Sequence, residues 1–261
     1  MGHGSNMAKT RDYKYELDTP CLTIDIDILE KNIAIMQAAA DAAGKNLRPH
    51  AKTHKCSQLA KKQLEAGAIG VCAAKVSEAE VLADAGVQGI LITGPVVTAQ
   101  KIERLAAILK KDSTIMLVVD HPGNARRLDE AMQSRRLSLD VLLDTDVGLG
   151  RTGVLPESAL ELRDHITHAS SLRLKGVQAY AGFVQHIPSY PERKKASLEC
   201  MQRAAALFRN LKEKERAATI FSGTGTGTYD IDTQIPELTE LQVGSYAVMD
   251  AEYLNIAAKD D

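Results

Sequence analysis

Residues 114–153 read TIMLVVDHPGNARRLDEAMQSRRLSLDVLLDTDVGLGRTG. The run at 114–119 is apolar and rich in β-branched residues, so it reads as a strand covered on both faces. A helical pattern follows over 122–134, with Pro122 at its first turn, where its missing N–H would have no partner anyway. A second buried strand, 140–144, then enters a loop holding Gly148, Gly150, Arg151 and Gly153. Strand, helix and strand in this order make a βαβ unit, whose strands pair in parallel because the helix carries the chain back.

The same alternation extends in both directions. Further candidate strands lie at 22–25, 47–51, 70–74, 89–93, 174–180, 219–222 and 241–246. Further candidate helices lie at 28–43, 56–66, 77–85, 99–110, 157–169 and 191–214. Gly44, Gly67 and Gly86 each follow a helical stretch, where positive φ is favoured. Ser77 with Glu80 reads as a capping box, and Pro156 suits a first turn. With 22–25 set aside, eight strands remain, the number that closes a (β/α)8 TIM-type barrel. The rival, a doubly wound open sheet, needs its Gly-rich fingerprint at the first strand–helix turn. The GTGTG tract at 223–227 comes late and opens no obvious helix, so the barrel is the expected α/β fold. Two features exceed it: 22–25 is one strand too many, and the chain ends in AAKDD (257–261) with no final barrel helix. Both ends read as though they join something else.

Composition limits the function classes. Of 261 residues, 44% are hydrophobic and 25% charged, as in ordinary globular proteins. Lys+Arg (32) nearly cancels Asp+Glu (34), and no basic cluster is dense enough for a nucleic-acid partner. The apolar runs fall far short of the ~20 residues that cross a bilayer. No charged segment leads into an apolar leader. No membrane partner and a cytoplasmic location are therefore expected. The four cysteines are scattered without a C-x-x-C pair. They read as reduced, buried small hydrophobes rather than a disulfide or zinc framework. Residues 1–7 (MGHGSNM) read as a tag remnant outside the fold.

Chemistry concentrates at the expected C-terminal ends of the strands, which face the active site in parallel barrels. RPHAKTHK (48–55) ends the first barrel strand, where alternation puts Lys52 on the side of His50, with Ala51 opposite. Neighbouring cations and burial would favour the neutral amine of Lys52, the form that makes a Schiff base with a carbonyl. The plain alternative is a solvated basic loop. His50 and His54 share a helical metal-pair spacing, but Pro49 and the strand pattern oppose a helix, and no H-E-x-x-H glutamate is present. The loop 144–153 presents Arg151 among glycines, against the plain reading of an acidic turn with a surface arginine. Tyr180 ends the sixth strand, with His186 further on. SGTGTGT (222–228) and Gly244-Ser245-Tyr246 follow the last two strands, the usual phosphate site of such barrels.

A lysine, an arginine, a tyrosine and a late phosphate cradle suit pyridoxal 5'-phosphate. RPHAKTHK, DVGLGRTG, VQAY, SGTGTGT and ELQVGSY, in this order over about 17–255, resemble the D-threonine aldolase/D-serine dehydratase group of alanine-racemase-like, fold-type III pyridoxal-phosphate enzymes. The resemblance implies that Lys52 carries the cofactor and that Arg151 bonds its phenolic oxygen. Tyr180 and Gln242 would lie near the ring and its nitrogen. Thr226, Gly227, Gly244 and Ser245 would cradle the phosphate beside Tyr246, and His50, His54 and His186 would line the pocket. With no carboxylate at the ring nitrogen, the ring is expected to be incompletely protonated.

The resemblance also assigns 8–27 to the strand of a further C-terminal β-domain, 28–250 to the barrel and 251–261 to the start of the link. That domain would hold the ligands of a divalent metal (Mn2+ or Zn2+), so no metal ligand is expected here; His165 and His168 fall on a surface helix. The implied activity is a lyase acting on small β-hydroxy D-amino acids, in a homodimer when full length. The VQAY…VQH pattern favours the aldolase over D-serine dehydratase; the other readings are an amino-acid racemase and a non-catalytic cofactor holder, the last opposed by the PHAKTHK motif and the extra first strand.

Overall fold

The structure, a computed structural model, describes residues 16–256; the expected tag remnant 1–7, the first part (8–15) of the segment 8–27, and 257–261 lie outside them. Eight parallel strands form one sheet: β1 (Asn46–Leu47), β2 (Val71–Ala73), β3 (Ile90–Ile92), β4 (Met116–Val119), β5 (Leu139–Thr145), β6 (Leu172–Ala179), β7 (Ile220–Gly223) and β8 (Glu240–Leu241). Hydrogen-bonded order runs β1-β8-β7-β6-β5-β4-β3-β2. The sheet closes between β1 and β2 through a bridge from His50 to Cys72, with Ala51 N–H donating to Cys72 O (2.9 Å) and Cys72 N–H to Pro49 O (2.8 Å). The expected (β/α)8 barrel is the observed one.

Helices α1 (Ile26–Ala42), α2 (Ser57–Glu65), α3 (Val76–Asp84), α4 (Ala99–Leu109), α5 (Pro122–Gln133), α6 (Ala159–Thr167), α7 (Tyr190–Lys214) and the short α8 (Tyr229–Asp232) cover the outside. On α4, Ile102, Leu105, Ala106 and Leu109 recur at helical spacing and are buried against the sheet. The barrel interior holds a separate small cluster of Cys72, Leu91, Met116, Val118 and Leu142. A buried ion pair lies beside it. Arg48 donates Nη2 to Glu240 Oε1 (2.7 Å) and Nε to Oε2 (2.9 Å), and a third bond goes from Nη1 to the Gly89 carbonyl. The two side chains are only 6% and 3% exposed.

The β5–β6 ladder slips by one residue between Val141 and Leu142, so Leu142 pairs with Gly176. Gly176 has φ +152°, and a Cβ there would stand 1.7 Å from the Ile220 carbonyl oxygen. Only glycine suits this bulge. Beyond it, Asp144 is in register with Gln178.

Several local expectations are corrected. Residues 22–25 pair with no strand among the described residues; Leu22 and Ile24 are exposed, and Asp25 caps α1 through its side chain. The strand expected at 47–51 ends at Leu47 apart from the His50 bridge, and 51–54 turns. The strand expected at 241–246 ends at Leu241, and a 3-10 turn occupies Ser245–Ala247. No Ser77–Glu80 capping box forms: Glu78 accepts from Ala74 N–H, and Glu80 pairs with Arg104. The GTGTG tract does lead into a helix, the single turn α8. Cys72 and Cys200 are buried, Cys56 is partly exposed and Cys21 is exposed; all four are free.

Glu240→Ala leaves the Arg48 guanidinium buried without its partner and is expected to cost about 3–5 kcal/mol. The double variant Arg48→Met/Glu240→Leu should recover most of that. Urea unfolding reads both; a single-variant loss under ~1 kcal/mol would mean that water reaches the arginine.

Candidate active site

The C-terminal ends of the strands open into a cavity of about 350 Å3. Strand alternation decides what it receives. On β6, Val177 and Ala179 join the outer core while Gln178 and Tyr180 line the cavity or its approach. After β8, Val243 packs outward while Gln242 and Gly244 face in.

Lys52 and His50 both line the cavity, though a turn rather than strand alternation brings them together. The turn is closed by Lys55 N–H donating to Ala51 O (2.8 Å). Thr93 Oγ1 donates to Ala73 O (3.3 Å), so it accepts from His50 Nε2–H (3.0 Å), which leaves His50 Nδ1 to accept from Lys52 N–H (3.4 Å). Burial, then the charges of Lys52 and Arg151, hold His50 well below the usual imidazole range, consistent with this neutral tautomer.

The Lys52 ammonium lies 5.3 Å from the centroid of the Tyr180 ring, and the Arg151 guanidinium carbon lies 5.7 Å from it. Lys52 is reached through the cavity mouth, but the walls remove part of its solvation. That burial first, and the Arg151 charge second, lower its pKa, with Lys55 adding to the effect. A larger share of Lys52 is therefore free amine at neutral pH than for an ordinary lysine. Arg151 is presented by a caged loop. Asp146 Oδ1 accepts from Gly148 N–H (2.9 Å) and Leu149 N–H (2.8 Å), while Gly153 N–H donates to Asp120 Oδ2 (3.2 Å).

The loops after β7 and β8 line the same cavity, the second beside the lysine turn, where His50 N–H donates to Val243 O (2.9 Å). Among the described residues, the backbone N–H groups of Gly225, Thr226, Gly244 and Ser245 have no protein acceptor. Thr226, Gly244 and Ser245 all line the cavity, as do Thr224 and Gly225. The buried Asp232 carboxylate shapes the first loop, accepting from Ser197 Oγ (2.6 Å), Thr228 Oγ1 (2.7 Å) and Thr224 Oγ1. Unclaimed N–H groups converging on a cavity can hold an anion.

Four expected site residues lie off the cavity wall. Gly227 gives its N–H to Gln185 Oε1 (3.0 Å). His54 accepts from Cys56 N–H (3.1 Å) at Nδ1 and so donates Nε2–H to Gln63 Oε1 (3.3 Å); Gln63 in turn donates to Tyr246 Oη (2.9 Å). His54 and Tyr246 thus brace the lysine turn from behind. His186 packs against Tyr253 with the rings tilted by 42° and 4.5 Å between centroids, its Nδ1 lies 3.6 Å from Glu252 Oε2, and of the two only Tyr253 lines the cavity. Thr93, Thr152, Gln178, Thr224 and Gly225 are cavity residues that the sequence reading did not single out. Thr93 and Gln178 follow from applying strand alternation to the strand ends, and Thr152, Thr224 and Gly225 sit in strand-end loops already quoted, whereas Tyr253, which also lines the cavity, has no such signal.

Among the described residues no group of three or more His, Cys, Asp and Glu side chains is placed to hold a metal ion. No helix among them is long and apolar enough to cross a membrane.

A closed parallel barrel with a pKa-lowered lysine at its mouth and free N–H groups after its last two strands holds, in one cavity, groups chemically suited to a carbonyl and to an anion. The chain belongs to the family described as alanine racemase, N-terminal domain, which matches residues 24–252. It is 38% identical over 240 residues to 3-hydroxy-D-aspartate aldolase of Paracoccus denitrificans (strain Pd 1222), covering 91% of this chain and 62% of that protein. It is 38% identical over 247 residues to D-threonine aldolase of Arthrobacter sp, covering 94% of this chain and 65% of that protein. The crystal structure of D-threonine aldolase from Filomicrobium marinum superposes with a TM-score of 0.89 at 37% identity, over 93% of this chain and 66% of that one. The chain thus spans somewhat under two thirds of the length of these curated relatives. The family read from RPHAKTHK and the later motifs is borne out.

Removing the like charge of Arg151 should raise the Lys52 pKa. In Arg151→Ala, the pH at which Lys52 begins to react with an amine-directed reagent should therefore move upward. Peptide mapping across a pH series reads this, with Lys110 as an ordinary reference; an unchanged profile would mean that Arg151 does not act on Lys52.

Proposed function

We propose that this chain binds pyridoxal 5'-phosphate on Lys52 and forms the cofactor-holding barrel of a lyase for β-hydroxy D-amino acids. The proposed reaction is retro-aldol cleavage to glycine and an aldehyde. The observation that carries this reading is the Lys52 amine, favoured in its neutral form by cavity burial and Arg151, sharing one cavity with unclaimed N–H groups. The residues fit the cofactor. Its carbonyl needs a neutral amine, its phosphate needs donors, and its phenolic oxygen needs a cation. Lys52, the Gly225–Thr226 and Gly244–Ser245 amides, and Arg151 answer these three needs in turn. When bound, the cofactor supplies an electron sink for the bonds at the substrate Cα.

The remaining roles belong to the chain itself. Arg151 keeps a positive charge beside Lys52, so that Lys52 Nζ is ready to attack a carbonyl and, once released, to hold a proton. Tyr180 offers its ring face to both cations and forms one wall. His50, neutral and committed to Thr93, fixes the turn rather than exchanging protons. The family resemblance implies Mn2+ or Zn2+, but no group of His, Cys, Asp and Glu among the described residues fits a metal. The similarity to two aldolases supports retro-aldol cleavage as the reaction; a homodimer of the full-length protein is part of the proposal.

Borohydride reduction with pyridoxal phosphate followed by peptide mapping should label Lys52. A label on Lys55 or Lys75 would reject the assignment. Product analysis with D-threonine, 3-hydroxy-D-aspartate, D-serine and D-alanine, with and without Mn2+, then reads the reaction. Glycine and an aldehyde are expected. Ammonia with a keto acid would instead identify a dehydratase, inverted enantiomers a racemase, and a labelled but inert chain a cofactor holder.

A further inference from the structure

A buried row of polar side chains crosses the barrel beneath the cavity. Gln178 Nε2 stands 2.9 Å from Asp144 Oδ1 and 3.3 Å from the Thr93 carbonyl oxygen. Gln242 Nε2 stands 3.1 Å from Gln178 Oε1 and 2.9 Å from Ser222 Oγ. Thr152 Oγ1 donates to the other carboxylate oxygen of Asp144 (2.9 Å). Asp144, Gln178 and Gln242 are all buried.

The row has only one workable direction. A carboxylate and a backbone carbonyl accept but do not donate, so the Gln178 atom facing them must be its NH2. Its oxygen then points at Gln242, which must answer with its own NH2. The second N–H of Gln242 goes to Ser222. The Gln242 carbonyl oxygen is left over, and it accepts from no protein group among the described residues. Reversing the row would set the Gln178 oxygen against two acceptors, leaving several buried polar atoms unpaired. Burial pushes Asp144 up to about 6 against the bonds from Gln178 and Thr152. It remains largely a carboxylate at neutral pH, and the Thr93 carbonyl imposes the same direction at any pH.

We propose that Gln178 is a positioning residue: anchored by Asp144 and Thr93, it fixes the Gln242 amide so that the cavity is offered a carbonyl oxygen, and a ring nitrogen bound against that oxygen is held as an N–H donor. The inference rests on the pyridoxal-phosphate reading. Phosphate, carbonyl and phenolic oxygen have answering groups in the backbone amides, Lys52 and Arg151. The ring nitrogen remains, and of the side-chain carbonyl oxygens lining the cavity only that of Gln242 is uncommitted. An unprotonated nitrogen there would set lone pair against lone pair, both out of water. The row thus reverses the expectation of an incompletely protonated ring, using a neutral acceptor in place of a carboxylate.

The test loads the chain with pyridoxal phosphate carrying 15N in the ring and reads the nitrogen resonance at mildly alkaline pH. The wild type should show a protonated nitrogen. In Gln178→Met the Gln242 amide is free to turn its NH2 inward, and the protonated fraction should fall below half. Gln242→Met, which removes the acceptor, should do the same and serves where Gln178→Met does not fold. Borohydride labelling of Lys52 is run on each sample. A labelled wild type with an unprotonated nitrogen, or full protonation in either folded variant, would overturn the inference. A wild type with no label at Lys52 would instead overturn the cofactor reading, and this inference with it.

Discussion

The barrel closes at the pair of backbone bonds that join residues 49–51 to Cys72. Every other neighbouring pair of strands shares a ladder, whereas β1 and β2 meet through this bridge and one bond from Ile69 N–H to Leu47 O. The turn carrying Lys52 springs from this seam. Its position is therefore set by ring closure rather than by a free loop, as suits a group that must meet a reacting carbon within fractions of an ångström.

Electrostatics follow from that placement. The interior changes from apolar (Leu91, Met116, Val118, Leu142) to polar (Asp144, Gln178, Ser222, Gln242) toward the C-terminal face. The buried Arg48–Glu240 pair near the apolar layer spends its charge locally, its guanidinium also anchored to Gly89. Lys52 and Arg151 both lie over the Tyr180 ring, and among the described residues neither has a carboxylate partner in contact. Crowding two cations lowers the proton affinity of the one that can lose its proton. A lysine paired with an aspartate would be driven the other way.

Much of this was legible in the sequence because it depends on short-range pattern. Continuous apolar runs such as ILI and MLVV marked strands buried on both faces, strand-end logic located Lys52, Arg151, Gly244 and Ser245, and the family resemblance added Gln242. What escaped depends on three-dimensional closure. The brevity of β1 and β8 reflects the turn at 51–54 and the 3-10 turn at Ser245–Ala247, which no local propensity announces. His54, Tyr246 and Gly227 belong to motifs that supply the site, but Gln63 and Gln185 claim their polar groups from elsewhere in the chain. The direction of the Asp144–Gln178–Gln242 row depends on the Thr93 carbonyl, whose approach cannot be read from residue identity.

The central claim is that one ligand engages both the seam and the loops after β7 and β8. Amide hydrogen exchange, with and without pyridoxal phosphate, tests this most directly. Exchange should slow at Ala51 and Cys72 and at Gly225, Thr226, Gly244 and Ser245, with little change in a second groove between α5 and α6, lined by Arg126, Asp129, Glu161 and His165. Slowing in that groove alone, or no slowing at either the seam or the late loops, would contradict the account.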